Sequence, residues 1–301
     1  MSSGSGITEQ IAAQIAEATG RPFSPRTDRA VGGGCINSAL VLSDGATDWF
    51  VKLNRADRLD MFEAEADGLA AMAATGTIRV PRPLCTGTAG GQSFIVMEHI
   101  PLGGRGRAAA ARAGEQLAAM HRAAPGAGTP FGWHRDNTIG STPQPNASCD
   151  DWAAFWQRHR LGFQLDLAAR NGYRGRLAER GALLLERVPR LLDHAPVPSL
   201  LHGDLWGGNM GTADDGSPVI FDPACYFGDR EADLAMTELF GGFGADFYTA
   251  YEAAWPLAPG YRVRKALYNL YHILNHLNLF GTGYKGQAQG MIDQLLAETA
   301  G

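Results

Sequence analysis

The chain has 301 residues, 45% hydrophobic and 19% charged, which suits one large or two modest soluble domains around a real core. Thirty-one acidic against 26 basic residues leave a formal charge of −5, which argues against sequence-independent binding of nucleic acid. No run of about 18 apolar residues marks a membrane span, so neither nucleic acid nor a membrane is an expected partner.

Residues 1–6, Met-Ser-Ser-Gly-Ser-Gly, carry neither a basic nor an apolar leader pattern and read as a disordered start. Over 7–19, Ile7, Ile11 and Ile15 recur every four residues and predict a short amphipathic helix. Gly32-Gly33-Gly34 then leads into an apolar run to Leu42, a Ser43-Asp44-Gly45 turn and a second run from Trp49 to Leu53. That is the pattern of a β-hairpin with the glycines entering its first strand. A helix is predicted over 58–74, a break at Val80-Pro-Arg-Pro83 and a short strand at Phe94–Met97. Beyond residue 107 the pattern turns helical, with helices over 108–123, 151–170 and 175–193 and a Gly-, Pro- and Asn-rich loop over 124–150. Brief strands at 200–202 and 219–221 flank a glycine-rich segment, and helices follow near 231–240, 244–255 and 261–280. The expected architecture is α+β and bilobal: a small β-rich lobe over 1–100 and a larger, mainly helical lobe over 101–301.

Cys35, Cys85, Cys149 and Cys225 lie 50, 64 and 76 positions apart, which is neither a disulfide framework nor zinc-knuckle spacing. A reducing, cytoplasmic setting is the expectation.

Four features carry chemistry. Gly32–Asn37 could gather free backbone N–H groups around a phosphate, or could be a flexible turn. Lys52 sits in a strand, and Glu65 shares a helical face with Phe62, Leu69 and Met72. A carboxylate on an apolar face needs a cation, and Lys52 is the candidate; a solvated, unpaired lysine and glutamate is the competing reading. His202-Gly-Asp-Leu-Trp-Gly-Gly-Asn209 places Asp204 five residues before Asn209, and Asp222 ends the next strand. Asn209 and Asp222 offer oxygen ligands suited to Mg2+, which leaves Asp204 free to accept a proton from an attacking hydroxyl.

His202, Asp204 and Asn209 match the HxDxxxxN catalytic loop of protein kinases, with Asp222 in the place of the DFG aspartate and Lys52/Glu65 as the strand–helix pair. The HGD form resembles aminoglycoside phosphotransferases and choline kinases. GGGCIN at 32–37, FVKLN at 50–54, MFEAEADGL at 61–69, VPRPLC at 80–85, LHGDLWGGNM at 201–210, FDPACYFGDREADLAM at 221–236 and LYHILNHLNLFG at 270–281 together resemble the fructosamine kinase (ketosamine-3-kinase) family.

The resemblance implies a protein-kinase-like fold that uses ATP and Mg2+ to phosphorylate the 3-hydroxyl of ketoamines, free or on lysine, so that the sugar is shed: a deglycation repair. Ribulosamines, erythrulosamines and fructosamines are all open as substrates, and the chain as a monomer or homodimer. Gly32, Gly33, Gly34, Cys35, Ile36 and Asn37 would cover the phosphates, Lys52 held by Glu65 would contact them, and Asn209 and Asp222 would hold the metal. Asp204 would be the base, and Met97, Glu98, His99 and Ile100 resemble the hinge that meets adenine. Trp206 is either a substrate platform or a core residue, and the resemblance sets His272 and Asn275 near the ketoamine. His272 and His276, one turn apart, lack the glutamate and third ligand of a zinc site. Asp229, Glu231 and Asp233 could attract an amine or charge a helix N-terminus. Cys35, in the glycine loop, is either a small filler or an oxidisable switch. Two rivals remain: a kinase of another small alcohol (aminoglycoside, choline or sugar), and a pseudokinase, which the presence of Lys52, Asp204, Asn209 and Asp222 opposes.

Overall fold

The computed structural model describes residues 3–32, 37–103, 107–123 and 128–299. The expected phosphate-loop residues Gly33, Gly34, Cys35 and Ile36 lie outside the described residues.

Helix α1 (Ser3–Thr19) includes residues 3–6, so that part of the segment read as a disordered start is helical. Five strands follow, β1 (Thr27–Val31), β2 (Ser38–Ser43), β3 (Asp48–Arg55) and, after α2 (Leu59–Ala74), β4 (Pro83–Ala89) and β5 (Gln92–Glu98). They form an antiparallel sheet in the order β1-β2-β3-β5-β4. The glycine segment therefore links two strands, β1 and β2, instead of merely entering one. β1 (Thr-Asp-Arg-Ala-Val) is exposed along most of its length, so it carries no apolar alternation that could announce it.

Side chains alternate across this sheet with period two. Leu42, Val51, Leu53, Phe94 and Val96 pack against Ile11 and Ile15 of α1. Ile95 and Met97 face the other way, toward Phe62, Leu69 and Met72 of α2. Each of those fully buried side chains is worth about 1.5–3 kcal/mol of transfer free energy. The same parity turns Lys52, between Val51 and Leu53, toward α2. The core under α2 also contains Leu117, Leu200, Leu205, Ile220 and Leu234, so it runs from the sheet into the helical lobe without a break.

In the larger lobe, α3 (Arg107–Arg122) precedes a small hairpin, β6 (Asn137–Ile139) and β7 (Thr142–Gln144), within the stretch read as loop. The predicted helix over 151–170 is three pieces: α4 (Trp152–Phe155), a π-helical stretch at Trp156–Gly162, and α5 (Phe163–Arg170). The wider π turn carries Arg160 into the core, where it stacks 3.9 Å from the Tyr226 ring and donates to the Pro145 carbonyl and to Asn146 Oδ1. α6 (Arg176–Leu191) follows, then β8 (Ser199–Leu201), β9 (Met210–Thr212), β10 (Pro218–Ile220) and β11 (Tyr226–Gly228). β9 pairs with β10, and β8 with β11, in two short antiparallel ladders. α7 (Glu231–Leu239), α8 (Ala245–Ala254), α9 (Tyr261–Phe280) and α10 (Lys285–Glu298) complete the lobe. No helix among the described residues is long and apolar enough to cross a membrane.

Candidate active site

The parity of β3 and the face of α2 decide the first pair. Lys52 Nζ lies 2.5 Å from Glu65 Oε1 and also bonds Asp222 Oδ1, with both the lysine and the glutamate buried. The solvated alternative for these two residues is thereby excluded. Burial alone would push Lys52 toward neutrality, but the two carboxylates outweigh it and hold its pKa well above the ordinary value. Glu65 is pushed upward by burial and by the Asp222 charge, against the pull of Lys52. Asp222 itself adopts φ +60°, a left-handed conformation that few non-glycine residues accept, at the point where the chain leaves β10.

Contact between α2 and the residues after Asp222 is unusually close. A Cβ at Gly68 would lie 2.8 Å from Cys225 Cβ, so only glycine lets the helix sit at this depth. Glu65 is one turn earlier on that helix, and Asp222 is three residues before Cys225. Asp67 meets His134 and Glu63 meets Arg135, which fastens the outer side of the helix to the segment before β6.

The catalytic loop joins β8 to β9. His202 Nδ1 accepts from the Asp204 N–H at 3.2 Å, so Nε2 carries the proton and donates to the Phe221 carbonyl at 2.9 Å. Burial holds this imidazole below its ordinary pKa, in the neutral form that the pattern requires. Asn209 Nδ2 donates to the Asp204 carbonyl at 2.9 Å and to Asp204 Oδ2 at 3.3 Å, while the Phe221 N–H donates to the Asn209 carbonyl. Asp204 reaches the surface along one edge, yet its desolvating surroundings and the Asp222 charge lift its pKa to about 7, against the pull of Asn209.

Sequence reasoning missed what braces this loop. Asp233, on α7, accepts from the N–H groups of His202 at 2.7 Å and Gly203 at 2.8 Å, and meets His121 Nε2 at 3.1 Å. Tyr251 closes the far side of His121 at 2.8 Å. Burial acts to raise the Asp233 pKa, but the His121 hydrogen bond, the two imidazoles and the Gly203 N–H outweigh it and hold it below the usual range. The acidic cluster after Asp222 thus faces inward: Glu231 is paired with Arg264 through both oxygens, and Asp229 bonds His194 and Tyr268. α7 is buried at every position from Glu231 to Thr237, so no alternation of buried and exposed positions marks its inward carboxylates in the sequence.

The remaining expected residues are placed as follows. Asn37 Oδ1 accepts from Asn54 Nδ2 at 2.7 Å, tying the glycine segment to β3 two residues past Lys52, and Gly32 is exposed. Met97 and Glu98 end β5, with the Glu98 N–H donating to the Arg82 carbonyl and its carboxylate paired to Arg79. His99 and Ile100 follow the last paired residue, and His99 lies 3.6 Å from Asp48. Trp206 is 39% exposed, on the surface and not in the core. His272 and Asn275 are buried in α9; Asn275 bonds Gln164 and the Ile139 carbonyl, and burial drives the His272 pKa down to about 3.

A family model described as fructosamine kinase matches residues 7–298. The chain is 53% identical to the "Probable ketoamine kinase" of Synechocystis over 96% of both chains. It is 47% identical to the chloroplastic protein-ribulosamine 3-kinase of Oryza sativa, over 89% of this chain and 78% of the relative. A crystal structure of the "Putative fructosamine-3-kinase" of Haemophilus somnus superposes with TM-score 0.88 at 31% identity, covering 97% of this chain and 98% of the other. An aminoglycoside phosphotransferase solved with ADP and hygromycin B superposes with TM-score 0.60 at 16% identity, which shows the shared protein-kinase-like fold. With the matched model running almost end to end over this site, the chain belongs to the fructosamine kinase family.

Proposed function

We propose that this protein is a ketosamine 3-kinase, which moves the γ-phosphoryl group of ATP to the 3-hydroxyl of a ketoamine. The observation that carries this reading is the buried Lys52–Glu65 pair, bonded to the more exposed Asp222 and set against the Asp204–Asn209 loop, in a chain 47% identical to a ribulosamine 3-kinase. That relative supports a ribulosamine as the preferred acceptor.

Phosphoryl transfer asks a protein for positioning and charge neutralisation more than for covalent help. Lys52, fixed by Glu65, is the cation for the α- and β-phosphates. Gly32 and Asn37 flank the segment assigned to covering them, and the chain at Met97–Ile100 is assigned to the adenine. Mg2+ suits the donor set: with Asn209 Nδ2 engaged by Asp204, the carboxamide oxygen is left for a cation, and Asp222 has one carboxylate oxygen beyond its bond to Lys52. When bound there, the ion neutralises charge on the phosphate oxygens. Asp204 accepts the proton of the 3-hydroxyl as its oxygen attacks the γ-phosphorus and the bond to the β-phosphate bridging oxygen breaks, releasing ADP. A carboxylate oriented by the Asn209 carboxamide suits that task. Trp206 offers the acceptor an apolar face beside the base. We place the lobe division at residue 100, and the free thiols of Cys85, Cys149 and Cys225 support a reducing, cytoplasmic setting.

The test is ATP- and Mg2+-dependent phosphorylation of ribulosyl-lysine and fructosyl-lysine, with Asp204→Asn as control. Turnover is expected to be faster on ribulosyl-lysine and to fall at least about 100-fold in the variant, the scale of a lost general base, with ATP binding retained. No turnover on either sugar would move the assignment to another small alcohol.

A further inference from the structure

Asp222 is held in a conformation that its own backbone resists. At φ +60° it lies in the left-handed region, which a residue with a side chain keeps only where its surroundings over-determine it. The residue before it is fixed twice: the Phe221 N–H donates to the Asn209 carbonyl, and the Phe221 carbonyl accepts from His202 Nε2. After it, Pro223 has a single φ well, and the Ala224 N–H donates to the His202 carbonyl at 2.8 Å. Beyond that point the chain is gripped by a part of the molecule that the phosphoryl-transfer residues do not include, the β6–β7 hairpin.

Asn137 and Gln144 face each other across that hairpin. Gln144 Nε2 donates to the Ala224 carbonyl at 3.1 Å and to Asn137 Oδ1 at 2.8 Å, and Asn137 Nδ2 donates to the Cys225 carbonyl at 2.8 Å. A carboxamide can turn either end to a neighbour, so something must fix which end meets the two carbonyls. Two hydrogen-bond chains do this. Tyr271, on α9, donates its hydroxyl to Gln144 Oε1 at 2.7 Å, which leaves the amide nitrogen for Ala224. Arg160, which can only donate, gives Nη2 to Asn146 Oδ1 at 2.7 Å. The Asn146 amide nitrogen is thereby turned to Asn137 Oδ1 at 2.9 Å and to the Arg135 carbonyl at 3.1 Å. With its oxygen taken by two donors, Asn137 has its nitrogen left for Cys225.

Gln144, Asn146 and Arg160 are completely buried, where a polar group with a missing partner is costly, so the network is kept or lost as a unit. Apolar side chains of matching shape could fill such a core without that risk, so stability alone does not call for it. What the network does is directional. Both of its outward bonds end within three residues of Asp222, on a segment whose Ala224 carbonyl also lies directly against Gly203 of the catalytic loop. Only Pro223 separates Asp222 from the first gripped residue, so a shift of these carbonyls would swing the Asp222 carboxylate.

We propose that Asn137 and Gln144 are positioning residues for phosphoryl transfer, which act through the Cys225 and Ala224 carbonyls to keep Asp222 in the conformation that presents its carboxylate to Mg2+. This rests on the ketosamine-kinase reading in taking Asp222 as a metal ligand. The test reads Mn2+ affinity by electron paramagnetic resonance on the full chain with a non-hydrolysable ATP analogue, beside the KM for Mg2+ on ribulosyl-lysine. Gln144→Met keeps the side-chain length without a donor, and Tyr271→Phe removes only the hydroxyl that orients the amide. Each should weaken Mn2+ binding about 3- to 10-fold, the scale of one hydrogen bond, and raise the KM for Mg2+ equally, with the KM for ribulosyl-lysine unchanged. Leu295→Ala, a truncation of a buried side chain in α10, controls for lost stability and should leave Mn2+ affinity within about twofold of wild type. Folded variants that keep Mn2+ affinity within that limit overturn the positioning role, and so does an equal loss in Leu295→Ala; if Gln144→Met does not fold, Tyr271→Phe decides by the same limit. A wild type that binds Mn2+ but phosphorylates no ketoamine overturns the ketosamine reading alone. One that binds no Mn2+ overturns Asp222 as a metal ligand, and the positioning role with it.

Discussion

The floor of the site and its rim are built on opposite principles. On the floor, the polar groups of Lys52, Glu65, His202, Asp204, Asn209 and Asp233 each have named partners, and most of them are buried. On the rim, Trp206, Phe240 and Phe280 stand in solvent and are held by ring contacts. A hydrogen-bonded network in a low-dielectric setting fixes geometry to tenths of an ångström, which a transferring phosphoryl group requires. Exposed rings hold shape and apolar area but no exact register. The lesson is that two neighbouring parts of one molecule can be held by different physical forces, one by directed hydrogen bonds and one by ring packing.

The largest break in that contrast should come at Asp233. In Asp233→Ala two loop N–H groups and His121 lose a buried acceptor, and the expected loss is about 3–5 kcal/mol in urea unfolding together with the kinase activity. A loss below 1 kcal/mol would mean that the loop is held by something else. Next, Gly68→Ala forces a methyl group against Cys225 Cβ, so overpacking should destabilise by about 1–3 kcal/mol. It should also raise the KM for ATP, because the displaced helix carries Glu65; an unchanged KM alongside lowered stability would uncouple the helix from the nucleotide. The smallest effect sharpens the boundary between floor and rim. His272 is buried neutral, its pKa depressed to about 3, while the unfolded chain takes up the proton near the ordinary histidine value. Its contribution is therefore complete above about pH 6.5 and is lost as pH falls toward the folded value, by at most about 1.4 kcal/mol per pH unit. His272→Asn should flatten the slope of unfolding free energy between pH 6 and 5.

Much of this site was legible in the sequence because phosphoryl-transfer chemistry fixes residue type and spacing together. Asp204 and Asn209 are five apart on one loop, and Lys52 and Glu65 follow from the parity of a strand and the face of a helix. What stayed hidden depends on long-range burial. Asp233 reads as one more acid at a helix start, and only the fold turns it under the loop. β1 is too polar and exposed to announce itself, and the π turn at Trp156–Gly162 has no periodic signature apart from that of a helix. The role of Gly68 as a contact point appears only once Cys225, 157 positions later, is packed against it.

Gly203 has a consequence for how such an enzyme is governed. Its φ is +82°, and a Cβ there would sit 2.0 Å from the Ala224 carbonyl oxygen, so the middle position of the His-Gly-Asp triplet admits no side chain at all. Protein kinases carry an arginine at that position, and kinase switches commonly work by docking a phosphorylated loop on an arginine. That latch has no room to exist here. With α2 packed against Cys225 and the loop braced from beneath by Asp233, the described part of this machinery is held in place by packing and backbone hydrogen bonds, with no arginine latch at the middle of the triplet.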